Sequence, residues 1–129
     1  MALVLLYNIP AGDKLRRIRV VLTRLGIPSR QVDPAEYGHP VGYLAGLEGF
    51  GPGEEYAGEG FAAEMLVMSG LSSRQFNGLL DGLRASRAGV TLKAAVTENN
   101  AGWSSVRLYE ALREEHDTMR ELLAAKKKK

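Results

Sequence analysis

The sequence predicts an α/β fold: a small three-layer arrangement of a four-stranded, mainly parallel sheet with helices on both faces. Three observations predict it. Short apolar runs rich in Val and Leu alternate four times with longer stretches of helical spacing, the pattern of strand followed by crossover helix. The first run, Ala2 to Tyr7, is continuously apolar, as a strand covered on both faces requires. Two later helices carry explicit start signals.

The first strand stops at Asn8-Ile9-Pro10, and a helix follows over about Asp13 to Leu25. Leu15, Ile18, Leu22 and Leu25 recur there at spacings of three and four, and Gly26 ends it. Arginines occupy its other face. A weak second strand lies within Ser29 to Asp33, with Val32 as its one strong β-former and Pro34 closing it. Between Pro34 and Gly60 stand eight glycines and three prolines, which leave room for one short helix near Val41 to Leu47. The segment from Glu48 to Gly60 reads as a loop, and disorder is its expected state.

Glu64 to Met68 forms the third strand. Ser72 caps the helix that follows, Gln75 completes a capping box, and Leu71 staples onto Phe76. This helix buries Phe76, Leu79, Leu80 and Leu83. A fourth strand over about Thr91 to Val96 leads through Thr97 to Trp103 into a last helix, begun by Ser104 and running to about Leu123. No internal repeat is visible. One domain over residues 1–125 is expected, with Lys126 to Lys129 as a disordered tail.

Right-handed crossovers leave few topologies, and strand order 2-1-3-4 is the expected one. Its switch point between strands 1 and 3 would gather Asn8, Ser69, Gly70 and Ser72 at one carboxyl edge, where ligands of open α/β sheets bind.

Composition narrows the function. The 129 residues include no cysteine, which excludes disulfides, thiolate metal sites and a cysteine nucleophile. The apolar start is too short to span a membrane and lacks a basic leader, so the cytoplasm is the expected address. A formal charge of +2 becomes −2 without the four terminal lysines. Charge is segregated: residues 1–30 hold six Lys and Arg against Asp13, and residues 31–73 hold seven acids with no Lys or Arg. The first helix could approach nucleic acid. Such clusters are more often a solvated helix face, no aromatic lies among these arginines, and nucleic acid is not the expected partner.

Gly38-His39-Pro40-Val41-Gly42-Tyr43-Leu44, Glu64 to Gly70, and Leu92-Lys93-Ala94-Ala95-Val96-Thr97 with Asn100, Trp103 and Ser104 resemble a family of small uncharacterised bacterial proteins. That family is built around a domain of unknown function. The resemblance runs over nearly the whole chain, and its last pattern is the most specific. Similar proteins usually place a proline after the threonine, where this chain has Glu98. The resemblance implies a fold and an address, and it brings no catalytic residues.

The residues themselves assemble no recognised chemistry. His39 and His116 lie in different elements without carboxylates at ligand spacing, so no metal site is expected. Ser69-Gly70-Leu71-Ser72 lacks the Gly-x-Ser-x-Gly elbow, and no phosphate-binding glycine loop occurs. No catalytic residue or cofactor is implied. The ligand-binding candidates are Asn8, Ser69, Gly70, Lys93, Thr97, Asn100 and Trp103, around the strand-to-helix loops. The expected function is therefore a non-catalytic module binding a small ligand or protein partner. The alternatives are a small enzyme for a phosphorylated or carboxylated metabolite, with Lys93, Asn8 and Asn100 as positioning groups and Glu98 as general base, and weak nucleic-acid association through the first helix. Oligomeric state is left open.

Overall fold

The computed structural model describes residues 2–127 and the side chains up to residue 119. Its elements are β1 (Leu3–Tyr7), α1 (Asp13–Arg24), β2 (Ser29–Gln31), a 3₁₀ turn (Pro34–Glu36), α2 (Val41–Leu44), β3 (Met65–Ser69), α3 (Ser73–Ala85), β4 (Leu92–Ala95) and α4 (Ser105–Lys127). The sheet order is 2-1-3-4. On one face Val4, Leu6, Leu66 and Met68 meet Leu15, Ile18 and Leu22 of α1 and Leu79 and Leu83 of α3. On the other, Leu5, Tyr7, Met65 and Val67 meet Tyr37, Val41, Leu44 and Leu108. All four core strand positions on each central strand are buried because alternate side chains serve opposite layers.

The sheet is mixed. β1 pairs with β2 and β3 with β4 in parallel, but β1 runs antiparallel to β3. The cause is the connection from β2 to β3. A right-handed parallel crossover needs a helix long enough to cross the sheet, and α2 has four residues. The chain instead returns across the far face and enters β3 from the other end.

This reversal creates a repeat that the sequence conceals. Leu3 pairs with Ser69, Leu5 with Val67 and Tyr7 with Met65. A local two-fold axis normal to the sheet thus passes through the Leu5–Val67 pair and carries β1-α1-β2 onto β3-α3-β4. Details follow the same operation. The Val32 N–H donates to the Leu6 carbonyl (2.9 Å) as the Val96 N–H donates to that of Met68 (2.8 Å). Asn8 and Gly70 leave the central strands with φ of 58° and 69°, and Gly26 and Arg87 close the helices with φ of 69° and 55°. The Ile27 and Ala88 amides then reach back to the Leu22 and Leu83 carbonyls, both at 2.9 Å.

The segment Glu48–Gly60 has no helix or strand, but it is pinned where disorder was expected. Tyr56 N–H donates to the Ala35 carbonyl (3.0 Å), and Gly53 N–H donates to His39 Nδ1 (2.9 Å). Just beyond it, the Phe61 ring lies between Tyr37, centroid 4.7 Å away, and Tyr109, at 4.2 Å and 3° from parallel. The aromatic side chains supply the apolar area that the glycines lack. At the other terminus α4 takes in Lys126 and Lys127, because Leu122 to Ala125 contain no helix breaker. Lys128 and Lys129 lie outside the described residues. Among the described residues no helix is long and apolar enough to cross a membrane.

Candidate functional site

The antiparallel β1–β3 pair divides the sequence-predicted site. Ser69, Gly70, Thr97 and Asn100 lie where β3 and β4 end, whereas Asn8, at the end of β1, lies where β3 and β4 begin. Asn8 and Asn100 therefore occupy opposite ends of the sheet, and the grouping of Asn8 with Ser69, Gly70 and Ser72 does not form. The constellation of Asn8, Lys93, Asn100 and Glu98 is likewise not assembled.

Each candidate also has a local structural task. Asn8 Nδ2 donates to the Phe61 (2.8 Å) and Ala63 (3.0 Å) carbonyls, while its Oδ1 accepts from the Tyr37 hydroxyl (2.8 Å). Ser69 is buried within β3, and Gly70 makes the left-handed turn after it. Ser72 accepts from the Gln75 N–H (3.1 Å), and Gln75 Oε1 accepts from the Ser72 N–H (3.0 Å), the predicted capping box. Lys93 Nζ donates to the Val90 carbonyl, and its burial, with Arg84 adding a smaller push, holds its pKa below the ordinary lysine value.

Thr97 and Asn100 bind one another. The Thr97 N–H donates to Asn100 Oδ1 (2.8 Å), the Asn100 N–H donates to Thr97 Oγ1 (3.3 Å), and Asn100 Nδ2 donates to the Ala95 carbonyl (3.0 Å). Arg107 stacks 4.6 Å over the Trp103 ring, and Ser104 Oγ accepts from the Arg107 N–H (3.2 Å) at the start of α4. The loop is clamped onto α2. The Val41 and Gly42 amides donate to the Trp103 and Ala101 carbonyls, both at 2.8 Å, and a Cβ on Gly42 would stand 2.9 Å from the Ala101 oxygen and from the Phe50 ring. Two distinctive motifs of the sequence, Gly38 to Leu44 and Leu92 to Ser104, thus meet as one brace between the α2 and α4 starts.

Beneath that brace the Tyr7 hydroxyl is buried 2.7 Å from Ser105 Oγ. Burial pushes its pKa well above the ordinary tyrosine value of 10.0, outweighing the bond to Ser105, which lowers it. The unfolded chain releases this proton near pH 10 while the folded chain retains it, so stability falls as pH rises through about 10. Tyr7→Phe is expected to cost about 1–2 kcal/mol at pH 7, since Ser105 loses its partner. Above about pH 10 its stability should fall less steeply than that of wild type, by about 1.4 kcal/mol per pH unit. Urea melts across that range measure both. Parallel pH curves would show that Tyr7 titrates alike in both states.

The surface with unspent charge is the layer formed by α1 and α3. Their antiparallel axes approach closely at two glycines: a Cβ on Gly78 would stand 2.7 Å from Leu25 Cδ2, and one on Gly82 would stand 2.6 Å from Val21 Cγ1. The two helices also reach toward each other's last carbonyls. Gln75 Nε2 approaches the Leu25 oxygen and Arg17 Nη1 the Ser86 oxygen, both at 3.4 Å. Leu25 and Ser86 are equivalent under the local two-fold axis and cap α1 and α3, respectively.

Exposed on this layer are Arg16, Arg17, Arg19 and Arg24 from α1, Arg74 and Arg84 from α3, and Arg87 just after it. Arg19 and Arg84, each two residues from the contacting Val21 and Gly82, stand on the flanks turned away from the partner helix. Asp13 and Asp81 are the acids of the two helices, and each pairs loosely with one arginine on its own helix, Arg16 at 3.1 Å and Arg84 at 3.9 Å. A groove of about 470 Å³ follows α1 past Arg16, Arg19, Val20 and Arg24. Another, of about 540 Å³, lies between Arg24, Gly26, Ser72 and Arg74. Val20, 43% exposed, sits among the arginines. Sequence reading found the α1 arginines and missed those of α3, which stand about sixty residues further along. Gly78 and Gly82, four apart on one helix, were the available signal for a close helix partner.

A second charged groove, of about 400 Å³, runs between α4 and the starts of β3 and β4. Its charges are largely matched internally: Lys14 pairs with Glu64, and Arg113 meets the Tyr109 hydroxyl (3.0 Å) and Asp117 (3.9 Å). Among the described residues no group of three His, Asp or Glu side chains is placed to hold a metal ion.

No curated protein matches the chain. Residues 64–119, which comprise β3, α3, β4 and the described side chains of α4, match a family model described as a domain of unknown function, DUF3783, in keeping with the resemblance read from the sequence.

Proposed function

We propose that this chain is a non-catalytic binding module whose working surface is the arginine face of α1 and α3. The observation that carries this reading is the exposure of seven arginines on one two-helix layer whose helices contain two acids. The residues proposed from sequence for a small ligand support it indirectly, because their polar groups are engaged in bracing loops. A partner bearing closely spaced anions matches a guanidinium-rich face in charge and in hydrogen-bond geometry.

Retention on immobilised heparin at low salt tests the reading, with a variant ending at Ala125 to remove the lysine tail. The shortened protein should still be retained, and Arg19→Glu with Arg84→Glu should abolish retention while leaving the thermal melt within a few degrees. Retention that disappears with the tail and ignores both arginines would overturn it.

A further inference from the structure

Resting on that reading, we propose that the partner is double-stranded nucleic acid, gripped through its phosphates and not read for sequence. The exposed cations on the helices are arginines, whose planar fork engages phosphate oxygens in pairs. Lys14, the lysine of α1, is paired with Glu64 at the layer's rim. Residues 10–30 and 71–90 contain one aromatic, Phe76, and it is half-buried against the core. The face thus lacks the stacking platforms on which single-strand binders lay their bases.

Shape points the same way. The major groove of duplex DNA is about 12 Å wide and admits one helix. Here α1 and α3 lie side by side over one face of the sheet, in close contact at Gly78 and Gly82, so neither stands alone as a reading helix would. Such a layer rests across the backbone. A duplex presents one charge per about 1.7 Å of axis, twice the density of either strand, and so offers phosphates to the arginines of both helices. Exposed Glu48, Glu54, Glu55 and Glu59 lie in the segment that returns across the opposite side of the sheet, which would be repelled by phosphate and leaves the arginine face as the docking side. Binding is therefore oriented by charge segregation even though the chain without its four terminal lysines has a net charge of −2.

The test is fluorescence anisotropy of the protein ending at Ala125 with labelled DNA duplexes of two unrelated sequences, an RNA duplex and an unstructured single strand. Both DNA duplexes should bind equally within about twofold, and at least about fivefold more tightly than the single strand. The RNA duplex, which also pairs two phosphate backbones, should likewise bind more tightly than the single strand. Raising salt from about 50 to about 200 mM should weaken duplex binding roughly 10²- to 10³-fold if four or five phosphates are neutralised. Arg19→Glu with Arg84→Glu should weaken it at least about tenfold at low salt with the fold intact.

A single strand that binds as tightly as duplex, or a strong difference between the two sequences, overturns this inference and leaves the arginine face as a binding surface. Heparin retention without nucleic-acid binding does the same and points to an acidic protein. Loss of both overturns the reading beneath it.

Discussion

Asn8→Ala is expected to cost about 3–5 kcal/mol, a large share of the stability of a domain this size. One part is conformational: Asn8 has φ of 58°, a region that Asn tolerates and Ala enters at a cost of about 1 kcal/mol. The larger part is the loss of three hydrogen bonds. Without the side chain, the Tyr37 hydroxyl, on a residue 1% exposed, and the Phe61 and Ala63 carbonyls lose their partner. A stranded buried group costs about 1–3 kcal/mol, and water in the groove beside Asn8 can serve the carbonyls more readily than the hydroxyl. Asn8→Gly separates the two parts: it keeps the backbone conformation, loses the bonds, and should be about 1 kcal/mol more stable than Asn8→Ala. The damage should spread, because Phe61 anchors the end of the 48–60 segment; faster proteolysis there is the expected companion of the lower denaturation midpoint. Equal stability of the two variants would remove backbone strain from the account.

The same residue shows how far sequence reasoning reached. Asn8 was recognisable as the end of a strand, and the carboxyl-edge rule made it a ligand candidate. The rule failed because it assumed that β1 and β3 run in the same direction. Direction depended on the crossing between β2 and β3, a stretch of glycines and tyrosines whose path is set by packing against Tyr37, Phe61 and Tyr109 and not by local propensity. Where local chemistry decides, the reading held: the Ser72–Gln75 capping box, the Gly26 helix end and the strand order 2-1-3-4 all stand in the structure. The repeat stayed hidden because Asn8 matches Gly70, and Gly26 matches Arg87, in backbone conformation and not in residue type. The arginine face was half legible for a related reason, since helix α1 shows its own charge but not its neighbour.

That neighbour relation gives Gly82 an effect opposite in sign to its helix propensity. Gly in a helix interior costs about 1 kcal/mol relative to Ala, so Gly82→Ala on propensity alone would stabilise α3. The packing decides otherwise. The new Cβ would stand 2.6 Å from Val21 Cγ1 and 3.3 Å from Cγ2, and Val21 is a β-branched helical residue, 6% exposed, with essentially one rotamer to offer. The helices must separate, and Gly82→Val should cost about 3 kcal/mol, with Gly82→Ala destabilising by a smaller amount. Gly89→Ala is the control, since its Cβ would meet nothing within 4 Å; it should be neutral or slightly stabilising. Adding Val21→Ala to Gly82→Ala should recover part of the loss, a coupling that chemical denaturation of the four proteins measures. Because α1 and α3 carry the arginines, spreading them should also weaken duplex binding although no charge has changed. Unaltered affinity in a folded Gly82→Ala protein would mean that the arginines act as separate charges, independent of the spacing of the helices that carry them.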